Sequence, residues 1–371
     1  MVKYTVMRIL LLAGEESGVL YAERIRAEVL KTHPDAQFRG YGEYGFNVDD
    51  LAVMGVGQVL KKIFYFLRVK RTMERAIDDW KPDVVCTVDY PGMNLKLAAH
   101  AKARGIRTVH VVCPQVWAWK KGRIPKIEAA LDRLCCFFPF EPKLFKAGFA
   151  EFVGHPLADE MRDEGRGMRD EGRGTGVLAI LPGSRMGEIE KHLPMLLKVV
   201  ERLKDQVPDL RIVIPAASDR AYSKISSLIP RPSSLSVTHG GARECLRRAD
   251  AAVVASGTAT LEAALAGCPT VLVYRVGWLF AFLARRFIRG IRHIGLANII
   301  AEKAGAACPM PELLQEDFTA DNVLSHLKPL LTDAAANARA RQALADTMGL
   351  LKSDGGAMAR IAGTLTGETR A

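Results

Sequence analysis

Apolar and polar positions along the chain alternate between two periodicities. Short, almost unbroken aliphatic runs recur at Met7–Leu12, Val84–Val88, Thr108–Val112, Leu134–Phe138, Val177–Leu181, Arg211–Pro215, Ala252–Ala255 and Thr270–Val273, and they predict strands. Between them lie segments with apolar residues at helical spacing. Strands apolar on both faces that alternate with helices predict an α/β fold with parallel sheets. Several runs lead directly into turns rich in Gly or Pro: LLAGEESG, VDYPGMN, VVCPQVW, LPGSRMGE and ASGTATLE. Ligands of open α/β sheets sit at the carboxyl ends of the strands, so the chemistry is expected in these turns.

One stretch breaks the alternation. Met161–Gly174 is the heptapeptide MRDEGRG written twice, charged, glycine-rich and nearly free of apolar residues. It reads as a linker lengthened by duplication, which costs a loop little. The expected layout is a first Rossmann-like domain over 1–164, a linker over 165–175, a second Rossmann-like domain over 176–345 and a helical tail over 346–371. The Ala-rich helical stretch Ala334–Arg360, which runs into this tail, either returns to the first domain or exchanges between protomers of a homodimer.

A chain of 371 residues with 49% hydrophobic and 25% charged residues suits two such domains. Its seven cysteines are odd in number and lack C-x-x-C spacing, which argues against a disulfide framework or structural zinc and for a reducing cytosol. No secretory signal is expected. Arg275, Arg285 and Arg286 interrupt the apolar segment Val271–His293, leaving it short of the ~18 uncharged residues of a membrane span. The net charge of +11 points to an anionic partner, and the basic residues are interleaved with aromatic and aliphatic ones in Lys61–Arg71, Trp117–Lys126 and Trp278–Arg292. That mixture suits the surface of an anionic membrane; ordinary helices with solvated basic faces are the alternative. Nucleic acid is disfavoured, since the aromatics sit among aliphatics rather than on a basic stacking platform.

In ASGTATLE, Ser256, Gly257 and Thr258 open a helix whose free N–H groups and dipole suit a phosphate, with Glu262 one turn on for ribose hydroxyls. A plain N-cap explains the same Ser and Thr. LPGSRMGE repeats the pattern with Ser184 and Arg185. The arginine either pairs with a diphosphate or is a surface residue beside Glu188. Glu15 and Ser17 lie in a first turn that is not G-x-G-x-x-G, and either face a ligand or cap a helix. Asp89 ends a strong strand and is either a general base for a hydroxyl or the cap of the next turn. His155 faces a cleft or shapes a turn. There is no D-x-D, P-loop, G-x-S-x-G or H-E-x-x-H. A leaving group is therefore expected to be stabilised by helix dipole and arginine.

Taken together, LAVMGVGQVL (Leu51–Leu60), CPQVWAWKKGRIPKI (Cys113–Ile127), FPFEPKLF (Phe138–Phe145), FVGHPLAD (Phe152–Asp159), LPGSRMGE and ASGTATLEAALAGCPTVLVYR resemble the lipid A disaccharide synthases. The resemblance implies a metal-independent, inverting glycosyltransferase of GT-B type, with two Rossmann-like domains facing across a cleft. It implies no cofactor: a UDP-sugar is the donor substrate. The reaction joins UDP-2,3-diacylglucosamine to 2,3-diacylglucosamine 1-phosphate (lipid X), giving a β-1,6-linked disaccharide 1-phosphate and UDP. The place of work is the cytoplasmic face of the inner membrane, in lipopolysaccharide synthesis. The resemblance makes Asp89 the base and Arg185 the diphosphate ligand. It puts Ser256, Gly257, Thr258, Glu262 and Asn298 by the nucleotide, and Glu15 and Ser17 in the first loop. Val19 and Gln58 depart from the family pattern by replacing carboxylates on the acceptor side. Two alternatives stay open: a transferase or epimerase of UDP-GlcNAc without acyl chains, and a non-catalytic UDP-binding protein of the membrane surface.

Overall fold

The computed structural model describes residues 6–47, 51, 63–118, 121–163, 176–207, 209–229, 235–277 and 292–368. The tandem repeat, apart from its first residues, lies outside them, as do Gln58 and most of the basic–aromatic segment 278–292. The chain forms two compact units, one made of Met1–Pro156 with Leu351–Ala371, the other of Leu157–Leu350.

The first unit is built on a six-stranded parallel sheet of β1 (Arg8–Ala13), β2 (Gln37–Arg39), β3 (Val84–Val88), β4 (Arg107–Val111), β5 (Arg133–Cys136) and β6 (Ala150–Phe152), in the order β2-β1-β3-β4-β5-β6. β3 is buried at every position because helices cover both faces. Ile9, Val84 and Cys86 point to one face, against Ile25 and Val29 of helix Glu16–Thr32 and Ile361 and Leu365 of helix Ala357–Thr366. Leu10, Leu12 and Val85 point to the other, against Met73 and Ile77 of helix Ile63–Trp80 and Met93 and Leu97 of helix Pro91–Lys102. The chain thus leaves β1 toward one face and β3 toward the other. The strand order reverses there, and the crevice between the carboxyl ends of β1 and β3 is the sheet's natural ligand position.

The second sheet comprises β7 (Val177–Leu181), β8 (Arg211–Ala216), β9 (Leu235–His239), β10 (Ala251–Ala255), β11 (Thr270–Tyr274) and β12 (Glu312–Leu314), in the order β12-β11-β10-β7-β8-β9. All its pairings are parallel. Its reversal falls between β7 and β10, whose carboxyl ends carry LPGSR and ASGT.

The units divide at Pro156/Leu157 and Leu350/Leu351, whereas linker and tail composition put the divisions at 164/165 and 345/346. Contacts explain the difference. Glu160 of helix Pro156–Asp163 pairs with Arg243 at 3.0 Å, so this helix is already part of the second unit. At the other end, Arg341 of helix Ala334–Gly349 donates to the Gly267 and Asp250 carbonyls of that unit. Beyond it, the tail joins the first unit through Ser353, which donates to the Val153 carbonyl at 2.7 Å. No helix among the described residues is long and apolar enough to cross a membrane.

Candidate active site

In the first unit the reversal point is occupied by Glu15 and Asp89, which reach it on the turns after β1 and β3. Burial raises the pKa of both carboxyls, and the negative charge of Asp89 adds to the rise at Glu15. Glu15 stands at the N-cap of helix Glu16–Thr32 without capping it by its side chain, and Ser17 is exposed. The cap explanation for Glu15 is therefore not what the structure shows. Asp89 does not cap a helix either: its Oδ1 accepts the N–H of Tyr90 at 2.8 Å, and Oδ2 accepts no hydrogen bond among the described residues. A carboxylate with raised pKa and an unused oxygen at a crevice has the chemistry of a general base.

The backbone beneath it is strained. Asp89 and Tyr90 both have φ of 50°, two consecutive left-handed non-glycine residues, and Val112 at the end of β4 has φ of 76°. Each costs about 1–2 kcal/mol, and such positions persist where the surroundings over-determine them. One constraint is Gly14, where a Cβ would lie 2.4 Å from Cδ1 of Tyr90. Gly14→Ala is expected to push Tyr90, and with it Asp89, out of place. The predicted result is a loss of about 1–3 kcal/mol of stability, read as a lower melting temperature with far-UV circular dichroism unchanged; an unaltered melting temperature would count against the arrangement.

Beside this point lies an open groove of about 600 Å³, lined by Leu11, Val19 and Phe38 among its apolar residues and by Arg26 and Arg39 among its charged ones. Val19, where the family pattern has an acid, makes this wall apolar. At the carboxyl ends of β4 and β5, Cys113, Cys136 and Glu141 are buried with ligand atoms within 4.8 Å of one another, a set able to hold a thiophilic cation. Burial lifts the Glu141 carboxyl to about 8. It also accepts from Trp117 Nε1 at 3.2 Å and the Phe138 N–H at 3.1 Å, tying the turn after β4 to the turn after β5. Cysteine spacing in the sequence gave no sign of this cluster, because the parallel pairing of β4 with β5 creates it. His155 is buried against Phe137 and Phe138, and burial lowers its pKa to about 4.

In the second unit the turn after β10 has the form an anion site requires. Gly257 sits at φ 145° and ψ −165°, a region open in practice only to glycine, and precedes helix Thr258–Leu265 with no side-chain cap. Ser256 and Thr258 therefore do not act as N-caps. Their hydroxyls and the first N–H groups of the helix stand at the carboxyl edge, where Gly257 and Thr258 are exposed. Glu262 is held one turn along by Arg243 Nε at 2.9 Å.

The turn after β7 presents exposed Ser184 and Arg185. The Arg185 side chain is 66% exposed and pairs with Glu188 at 3.1 Å. His192 secures this turn: its ring accepts the Arg275 N–H at 3.0 Å and donates to the Pro182 carbonyl at 2.8 Å. Asn298 is fully buried. Its amide exchanges hydrogen bonds with the Met310 backbone and donates to Glu312, which also accepts from the N–H groups of Ile294 and Gly295. Its side chain thus shapes the turn ahead of helix Leu296–Lys303 from inside.

A family model described as lipid-A-disaccharide synthetase matches residues 9–355. The lipid-A-disaccharide synthase of Burkholderia mallei is 39% identical over 363 residues, 92% of this chain and 91% of that one. That of Geobacter sulfurreducens is 34% identical over 380 residues, 98% and 97% of the two chains. Among solved structures, Acinetobacter baumannii MurG matches with a TM-score of 0.60 at 13% identity, over 97% of this chain and 99% of that one. The UDP-GlcNAc 2-epimerase of Neisseria meningitidis, bound to UDP-GlcNAc, matches with a TM-score of 0.61 at 12% identity, over 97% and 100%. These likenesses establish a GT-B architecture of two Rossmann-like units. The chain belongs to the lipid-A-disaccharide synthetase family.

Proposed function

We propose that this protein transfers the diacylglucosamine of UDP-2,3-diacylglucosamine to the 6-hydroxyl of 2,3-diacylglucosamine 1-phosphate, releasing UDP. The supporting observation is the Asp89 carboxylate, raised in pKa and with one oxygen unused, at the reversal point of the first sheet. It takes the proton of the acceptor hydroxyl, whose oxygen attacks the donor anomeric carbon as the bond to the diphosphate breaks; the configuration inverts. The second unit holds the leaving diphosphate. The helix start at Ser256–Thr258 and the guanidinium of Arg185 oppose the charge that grows on it. Glu262 accepts from ribose hydroxyls, and Asn298 supports the turn beside the nucleotide. The reading calls for no cofactor and no metal.

The acyl chains favour work at a membrane surface. On helix Ile63–Trp80, Phe64 is 83% and Leu67 44% exposed, beside Arg68 and Arg71. This suits a peripheral position on the cytoplasmic leaflet of the inner membrane. The segment 278–292, read from sequence as a second contact, lies almost wholly outside the described residues. Phe64→Glu with Leu67→Glu is expected to weaken sedimentation with anionic liposomes at least tenfold, with UDP affinity intact. Unaltered sedimentation would move the contact elsewhere.

The activity test is UDP release from purified protein in detergent and EDTA, with donor, with and without the acylated acceptor. Acceptor-dependent release is expected. Release with a non-acylated acceptor alone would favour the UDP-GlcNAc alternative. UDP binding without turnover would favour a non-catalytic protein.

A further inference from the structure

Asn94 lies in helix Pro91–Lys102, five residues beyond Asp89, and is fully buried. Its side chain cannot touch a substrate, yet every polar atom on it is engaged at the reversal point. Nδ2 faces three carbonyls: Asp89 at 2.8 Å, Val88 at 3.2 Å and Leu12 at 3.2 Å. Oδ1 accepts the hydroxyl of Tyr41 at 2.7 Å. Leu12 is the penultimate residue of β1 and Val88 the last of β3, so one amide joins the carboxyl ends of the two strands between which the sheet reverses. It also grips the peptide of Asp89, the first of two successive left-handed residues.

The chemistry of the position selects an amide. A carboxylate could accept from Tyr41 but has no N–H to donate to these carbonyls, whereas the two amide hydrogens are shared among all three; an apolar side chain would leave those carbonyls and the tyrosine hydroxyl with unmet hydrogen-bonding needs. Tyr41 is itself 3% exposed and lines the groove beside the site. The same residue thus lines the groove and meets Asn94 with its hydroxyl.

We propose that Asn94 and Tyr41 are positioning residues for the reaction: they hold the Asp89 backbone in its left-handed conformation and so aim the carboxylate at the acceptor hydroxyl. This rests on the reading of Asp89 as the base. Neither residue touches the reacting atoms. Asn94 acts through Asp89, and Tyr41 acts through Asn94.

The test is a double-mutant cycle read by UDP release with saturating donor and varied acceptor, together with UDP affinity and thermal unfolding. Asn94→Ala and Asn94→Asp are both expected to lower kcat about 10²-fold, with UDP affinity unchanged and acceptor KM altered less than threefold. Tyr41→Phe, which removes one hydrogen bond and keeps the ring, is expected to lower kcat three- to tenfold. In the Asp89→Asn background, Asn94→Ala is expected to cost less than threefold more, because the group it positions is already gone. If the two losses multiply, or if Asn94→Asp turns over like the wild type, the positioning role is overturned. Should Asn94→Ala fail to fold, Tyr41→Phe carries the same cycle. If Asp89→Asn alone retains full activity, the reading of the base fails instead, and the two failures are thus told apart.

Discussion

Asp89→Asn is expected to lower kcat by about 10²–10⁴-fold with little change in fold, because an asparagine Oδ1 can still accept the Tyr90 N–H that Asp89 accepts now. The pH profile sharpens the test. The base must be ionised to work, and burial raises the Asp89 pKa above its ordinary value of 3.8. Activity is therefore expected to climb with pH through that raised value and to fall away on acidification earlier than an exposed carboxylate would allow. The acid limb should be missing from the residual activity of the asparagine variant. A variant with more than a third of wild-type turnover would exclude Asp89 and bring forward Glu15, which shares the crevice.

Arg185→Ala is the second large effect expected, a loss of about 10²–10³-fold in kcat. The side chain is mostly exposed and makes one ion pair, with Glu188 on its own turn, so its removal should leave the melting temperature of the unliganded protein in place. The stabilisation of the protein by UDP, read by thermal shift, should fall. Arg185→Lys is expected to recover only part of the rate, since a lysine brings a point charge without the planar fork that fits two phosphate oxygens. Full activity in the alanine variant would leave Glu188 as the arginine's sole partner and give the diphosphate entirely to the helix start at Gly257.

The strands legible in the sequence were the interior ones. β3 and β7 appear at their expected limits, and the other interior strands lie within two residues of theirs. The strands without a clear hydrophobic run, β2, β6, β9 and β12, are the four edges of the two sheets. An edge strand is covered on fewer sides and needs fewer apolar residues; QFR and AEF carry almost no signal. At the site, the turns that follow adjacent strands were readable because strand, glycine and polar residue stand together in the chain. The supports were not. Tyr41 meets Asn94, and Trp117 meets Glu141, only after the sheet has brought their turns together, and His192 reaches Arg275 across 83 positions of sequence. The structure also bears on the capping alternatives, since neither Glu15 nor Ser256 makes a side-chain cap hydrogen bond to the helix it precedes.

The first unit is assembled from two stretches separated by the second unit, with helix Ala357–Thr366 packed against helix Glu16–Thr32. On the ribosome, this makes the amino-terminal unit the last to be finished. When Pro156 has been made, the core around Ile25 and Val29 still lacks Ile361 and Leu365, and the whole of Leu157–Leu350 must be synthesised first. At bacterial rates that is a delay of roughly 10–40 s. During it the β1 side of the first unit waits with an open apolar face, and the second unit is complete before the first. A free chain truncated after Leu350 should therefore bind UDP yet remain sensitive to protease within residues 16–32.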